Sequence, residues 1–119
     1  MTRDQQRLED YLDHILEAID RILRYSSGLD LVEFLDNELV QDAVLRNLEV
    51  IGEAARNVLK EHPQFAENNA ALPLRYAYEM RNALAHGYFA VDLEIVWATI
   101  ERDLPEFKAK LIERRREPG

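Results

Sequence analysis

The sequence predicts an all-α protein, an up-and-down bundle of four main helices plus short helical turns. Three observations carry that reading. Apolar residues recur at spacings of three and four through most of the chain. Capping residues, Gly and Pro stand at the ends of those runs. Nothing in the sequence alternates apolar and polar residues over a strand's length.

The elements follow in order. Thr2 can cap a first helix whose apolar face is Leu8, Leu12, Ile15, Ile19, Ile22 and Leu23. Gly28, after Ser26 and Ser27, stops it, since glycine adopts the left-handed C′ conformation without strain. Asp30 to Asp36 reads as a short helical turn. Asn37 then caps a long second helix that runs to about Glu61 and is closed by His62-Pro63. Its stripe is Val40, Val44, Leu48, Ile51, Ala55 and Val58, widened by Ala43, Val50 and Ala54, which makes it the central helix. Gly52, Ala54 and Ala55 remove side-chain bulk there, so a neighbouring helix can pack closely. Glu67 to Ala71 reads as a loop, and Pro73 suits the first turn of a third helix running to about His86, where Gly87 can end it. Asp92 caps a last helix from Leu93 onward, which Pro105 must kink or break, with Asp103 placed to cap the continuation. Residues 1–119 form a single domain on this reading.

Composition narrows the function classes. The chain has no cysteine, which excludes disulfides, thiolate metal sites and a cysteine nucleophile. No apolar run approaches bilayer length, and the polar start Met1 to Gln6 is no signal peptide, so a soluble, cytoplasmic protein is expected. The formal net charge of −8 opposes binding to nucleic acid through a broad basic surface. The charge is uneven, however. Asp30 to Glu53 holds seven acids and one cation, Arg46, while Lys108 to Arg116 holds five cations and one acid, Glu113. Any RNA contact is therefore local, and the acidic stretch could equally serve a protein partner. The run Arg114-Arg115-Arg116 is either a solvated helix end that suits the dipole or an RNA-binding tail.

The informative segment is Arg75 to Tyr88. On a helical wheel Leu74, Ala77, Tyr78, Leu84 and Ala85 share an apolar sector, with Arg81 in its middle. An arginine there must leave the bundle, find a carboxylate such as Glu53 or Glu79, or face a groove built with a second subunit, because burying it unpaired is very costly. Arg75, Glu79, Asn82 and His86 lie on a separate polar line. Arg81 and His86 point roughly 140° apart on a regular helix, so they share a site only if the helix ends near His86 or the arginine reaches around. Blander readings stay open for each residue: Arg81 as an ion-pair member, His86 as a dipole cap, Tyr88 and Phe89 as core or interface aromatics.

The pattern Arg81-Asn82-x-x-x-His86-x-Tyr88 resembles the R-x4-H-x-Y signature of the HepT-like branch of HEPN ribonucleases. Gln41 to Ala55, with its Ile51-Gly52-Glu53-Ala54 core, is similar to that family's central helix, and Asp103-Leu104-Pro105 to its last helix. The resemblance covers essentially the whole chain, in order. It implies a HEPN-like bundle and a ribonuclease toxin of a bacterial toxin–antitoxin pair, cleaving RNA without metal by attack of a ribose 2′-hydroxyl on the adjacent phosphate. His86 would move the proton, Arg81 would meet the developing phosphorane charge, and Asn82 would orient the phosphate or the histidine. His14, His62 and His86 are far apart and form no ligand pair at helical spacing, so neither metal nor cofactor is expected. The resemblance further implies a homodimer with a composite cleft. It also implies AMP addition to Tyr88 by an MNT-type nucleotidyltransferase antitoxin, which would repel RNA phosphates. Transfer RNA is a substrate option at family level. The competing reading is a catalytically inactive bundle that binds a nucleotide or a partner.

Overall fold

Each helix begins where the sequence supplies a cap. In the computed structural model, which describes residues 2–86 and 91–116, Thr2 and Gln5 form a reciprocal capping box at the start of α1 (Arg3–Ser26). Asp30 and Glu33 repeat that device on α2 (Leu31–Leu35), and the Asn37 side chain accepts from the Val40 amide to open α3 (Glu38–Glu61). Gly28 has φ of 80°, the left-handed conformation that ends α1. The chain continues through α4 (Pro63–Asn68), α5 (Leu74–His86), α6 (Leu93–Ala98), a π-helical stretch Thr99–Asp103, and α7 (Leu104–Arg116). Among the described residues there is no strand, which confirms the all-α class.

Two expectations change in detail. The loop before α5 contains α4, because Pro63 ends α3 and then stands in the first turn of a new helix, where its missing amide costs nothing. Pro105 does not break the last helix. Over Thr99–Asp103, just ahead of it, the path widens into π geometry, and the Leu104 amide donates to the Thr99 carbonyl instead of to the usual i−4 oxygen. The wider turn accommodates a ring that would press on the Glu101 carbonyl of a regular helix. Asp103 lies inside that continuous path and therefore caps nothing.

The core is the one the helical stripes predict. Leu12, Ile15, Ile19 and Ile22 of α1 meet Val44, Leu48, Ile51, Ala55 and Val58 of α3, and all are buried. α3 is central, packed on α1 along one side and α5 along another. α2 is tied in by Phe34, which is fully buried and lies 5.2 Å from Trp97 between ring centroids. The Gln41 amide donates to the carbonyls of Phe34 and Leu35 at 2.8 and 3.1 Å, so the last carbonyls of α2, that of buried Phe34 included, keep a partner. α7 returns along α1. No described helix is long and apolar enough to cross a membrane.

Candidate functional site

The close contact between α3 and α5 places Arg81. A Cβ added at Gly52 would collide with Cβ of Arg81 and stand 2.8 Å from the Ala77 carbonyl oxygen. Glycine is therefore required by proximity and not by backbone conformation. The same approach sets the first carbons of the Arg81 side chain against α3 and points its length across the helix surface. Its Nη2 lies 3.3 Å from Oε2 of Glu53, and its Nη1 donates to Oδ1 of Asn82 at 3.2 Å. Glu53 is thus the carboxylate partner, and Asn82 braces the guanidinium from the next position on α5.

Glu53 also faces Arg56 at 3.8 Å, so one carboxylate serves two guanidiniums. On this side Tyr78 joins the cluster. The side chain of Asn82, with those of Arg56 and Arg81 nearby, holds its phenol below the usual value of 10. Tyr78 was legible in the sequence only as an apolar-sector residue. Its spacing of four from Asn82 is the signal that links them.

On its other side Arg81 opens into a groove of about 410 Å³ between α1, α3 and α5. Tyr11 and His14 of α1, with Arg46, Glu49 and Glu53 of α3, line it. The Tyr11 hydroxyl donates to Glu61 at 2.9 Å, an interaction that pushes its pKa up. Arg46 and His14 are exposed at the rim. The sequence had marked Arg46 only as the lone cation of an acidic stretch. Its spacing of seven from Glu53 puts the two on one face of α3, and that was the available signal.

Of the predicted site residues, Arg81 and Asn82 come together. His86 closes the described part of α5, is exposed, and does not line the groove that Arg81 enters. Because the helix runs through His86, the two signature residues stay on different sides of α5. Tyr88, with Gly87 and Phe89, lies outside the described residues. Among the described residues no three His, Asp or Glu side chains are gathered as a metal site would need.

Fold and site together define an all-helical bundle with an arginine-centred polar cluster on the helix that ends in His86. The sequence pattern described as "Ribonuclease HepT-like" matches residues 15–113, and the chain belongs to the HepT-like ribonuclease family. It is 37% identical over 102 residues to "Probable ribonuclease HepT" of Thermococcus cleftensis, covering 86% of this chain and 90% of that protein. A "Putative RNase" of Caldanaerobacter subterraneus is 34% identical over 103 residues, 87% of this chain and 89% of its own. A Methanocaldococcus jannaschii protein named "Gamma-glutamylcyclotransferase and putative RNase" is 37% identical over 102 residues, 86% of this chain. The matched region spans only 45% of that longer protein. No solved structure gives a significant match.

Proposed function

We propose that the chain is a ribonuclease toxin of a bacterial toxin–antitoxin pair, cleaving RNA internally without metal through the ribose 2′-hydroxyl. The observation that supports this most directly is Arg81, braced by Asn82 and opening into the groove, in a chain of the HepT-like ribonuclease family. Arg81 offers a fork of N–H donors to the phosphate, whose negative charge grows as the 2′-oxygen attacks. His86 takes the 2′-hydroxyl proton or returns one to the departing 5′-oxygen. Asn82 holds the guanidinium.

Within one chain His86 lies off the groove that Arg81 enters, which supports a homodimer in which a second copy completes the cleft. That arrangement gathers cationic groups locally on a net-acidic protein. Tyr88 is the acceptor for AMP from a nucleotidyltransferase antitoxin, and the added phosphate repels the substrate. Residues 1–119 act as one domain in the cytoplasm, with RNA, transfer RNA among the options, as substrate.

The test is incubation of the purified chain and its His86→Ala variant with total RNA in excess EDTA. Cleavage by the parent alone supports the reading. Absence of cleavage by both, with no AMP on Tyr88 by intact mass, replaces it with a catalytically inactive binding bundle.

A further inference from the structure

Arg46 is the single cation among the 24 residues from Asp30 to Glu53, and it stands at the rim of the groove that Arg81 enters. Among the described residues it makes no ion pair, as is also true of Arg3, Arg24, Lys60, Arg75 and Arg102, but of these only Arg46 lines the groove, where the other cation, Arg81, is paired with Glu53. The charged residues that line the groove balance, Arg46 and Arg81 against Glu49 and Glu53. The Glu53 carboxylate is engaged by Arg81 and by Arg56, so Arg46 is left as the lining guanidinium with no ion pair, in a molecule of net −8. The volume of about 410 Å³ lies within the range of clefts that hold small ligands, roughly 300–1,000 Å³. Tyr11 contributes a ring and His14 an imidazole, groups on which bases stack in single-stranded RNA complexes.

We propose that this groove seats the nucleotide next to the one held at Arg81, with Arg46 contacting its phosphodiester; the inference rests on the ribonuclease reading. The strand then crosses α3 from Arg81 toward Arg46, and the acidic remainder of that helix excludes it from any other path. Glu49 limits the affinity, because its carboxylate faces the same groove as the incoming phosphate.

The probe is a short single-stranded RNA, fully 2′-O-methylated so that it cannot be cut, titrated by fluorescence anisotropy over a series of salt concentrations. Loss of one phosphate contact makes the slope of log K against log salt shallower by about 0.7. Arg46→Ala is expected to show that change and about tenfold weaker binding at low salt, as for one charge-assisted hydrogen bond. Arg46→Lys retains the slope, and Glu49→Gln binds tighter than the parent. Equal melting temperatures confirm that the variants are folded. A parent-like slope and affinity in Arg46→Ala overturn the inference, and parent cleavage of unmodified RNA then leaves the ribonuclease reading standing. If the parent cuts no RNA yet binds the methylated strand through Arg46, the ribonuclease reading falls and the groove remains a strand-binding site.

Discussion

Gly52→Ala tests whether the α3–α5 approach sets the position of Arg81. Alanine is the better helix former by about 1 kcal/mol, so on propensity alone the change stabilises α3. Space argues the other way. The new methyl would overlap Cβ of Arg81 and stand 2.8 Å from both the Arg81 Cγ and the Ala77 carbonyl oxygen. Comfortable carbon–carbon contact begins near 3.5 Å, so α5 must move by about an ångström or more. The Ala77 backbone cannot swing aside as a side chain could. Overpacking of this kind costs about 1–3 kcal/mol or more; contact with backbone puts this case in the upper part of that range, about 2–3 kcal/mol, which leaves a net loss of roughly 1–2 kcal/mol after the propensity gain. For a domain of this length that is a fall of about 4–8 °C in Tm by calorimetry. RNA cleavage should fall further than the lost stability explains, by up to about 100-fold, because the shift is delivered to the backbone of Arg81. A Gly52→Ala protein that melts at or above the parent temperature would refute the reasoning. Propensity would then have outweighed contact, and the helices would not be closely packed at this point.

The ion pair, the phenol, the core and the C-terminal helix each give a further test. Glu53→Gln should cost less than about 1 kcal/mol, since the pair with Arg81 is partly exposed. Its RNA cleavage should still drop severalfold; an unchanged rate would mean that helix packing alone holds the guanidinium. Spectrophotometric titration should find one tyrosine ionising below 10, lost in Tyr78→Phe and moved upward in Asn82→Ala. Because that pKa is lowered in the folded state, its contribution to stability appears only at alkaline pH. It is complete above 10 and vanishes as pH falls through the folded value. Phe34→Ala should cost about 3–5 kcal/mol by denaturant titration, because the ring is fully buried against Trp97. Arg114→Ala should cost about 1 kcal/mol through its two-point contact with Glu9, with RNA affinity unchanged; weakened RNA binding would return the C-terminal helix to the substrate site.

Much of the fold was legible because it depends on local rules. Thr2, Asn37 and Asp92 each cap the helix that they were expected to cap, since a cap needs only a side-chain oxygen within three residues of a free amide, and Asp30 caps the short helical turn that was expected from Asp30 to Asp36. The short helix from Pro63 was not foreseen. Asn68 and Asn69 suggest a loop by propensity, and the half-buried Phe65 and Ala66 packed on the core override them. The π segment was not legible either. Pro105 announces a disturbance, but whether a helix breaks or widens depends on the packing of buried Thr99, Ile100 and Leu104. At the site, the pairing of Arg81 with Glu53 was visible as one of two options. Choosing between Glu53 and Glu79 required the distance between helices. The places of Arg46 and His14 required the groove itself, which forms from helices far apart in sequence.

The fate of the C-terminal cations settles how a chain of net charge −8 can still face an anion. Lys108 pairs with Asp20 at 2.7 Å, Arg114 with Glu9 at 2.8 Å, and Arg115 with Asp13. These three pairs join α7 to α1, so the basic run works as a clasp between the last helix and the first and is not an extended arm. The contact between Arg114 and Glu9 is the least exposed of them, at 23% and 29% of side-chain surface, and it adds two hydrogen bonds. Four of the five cations in the richest cluster of positive charge in the sequence are thus already paired with carboxylates, which leaves them less attraction for a phosphate. At the groove it falls to Arg81, which shares one carboxylate with Arg56, and to Arg46, which has no ion pair among the described residues. If RNA follows the proposed path, the acidic stretch that argued against it in the sequence flanks Arg46 with surface that repels phosphate, and so narrows where a strand can lie.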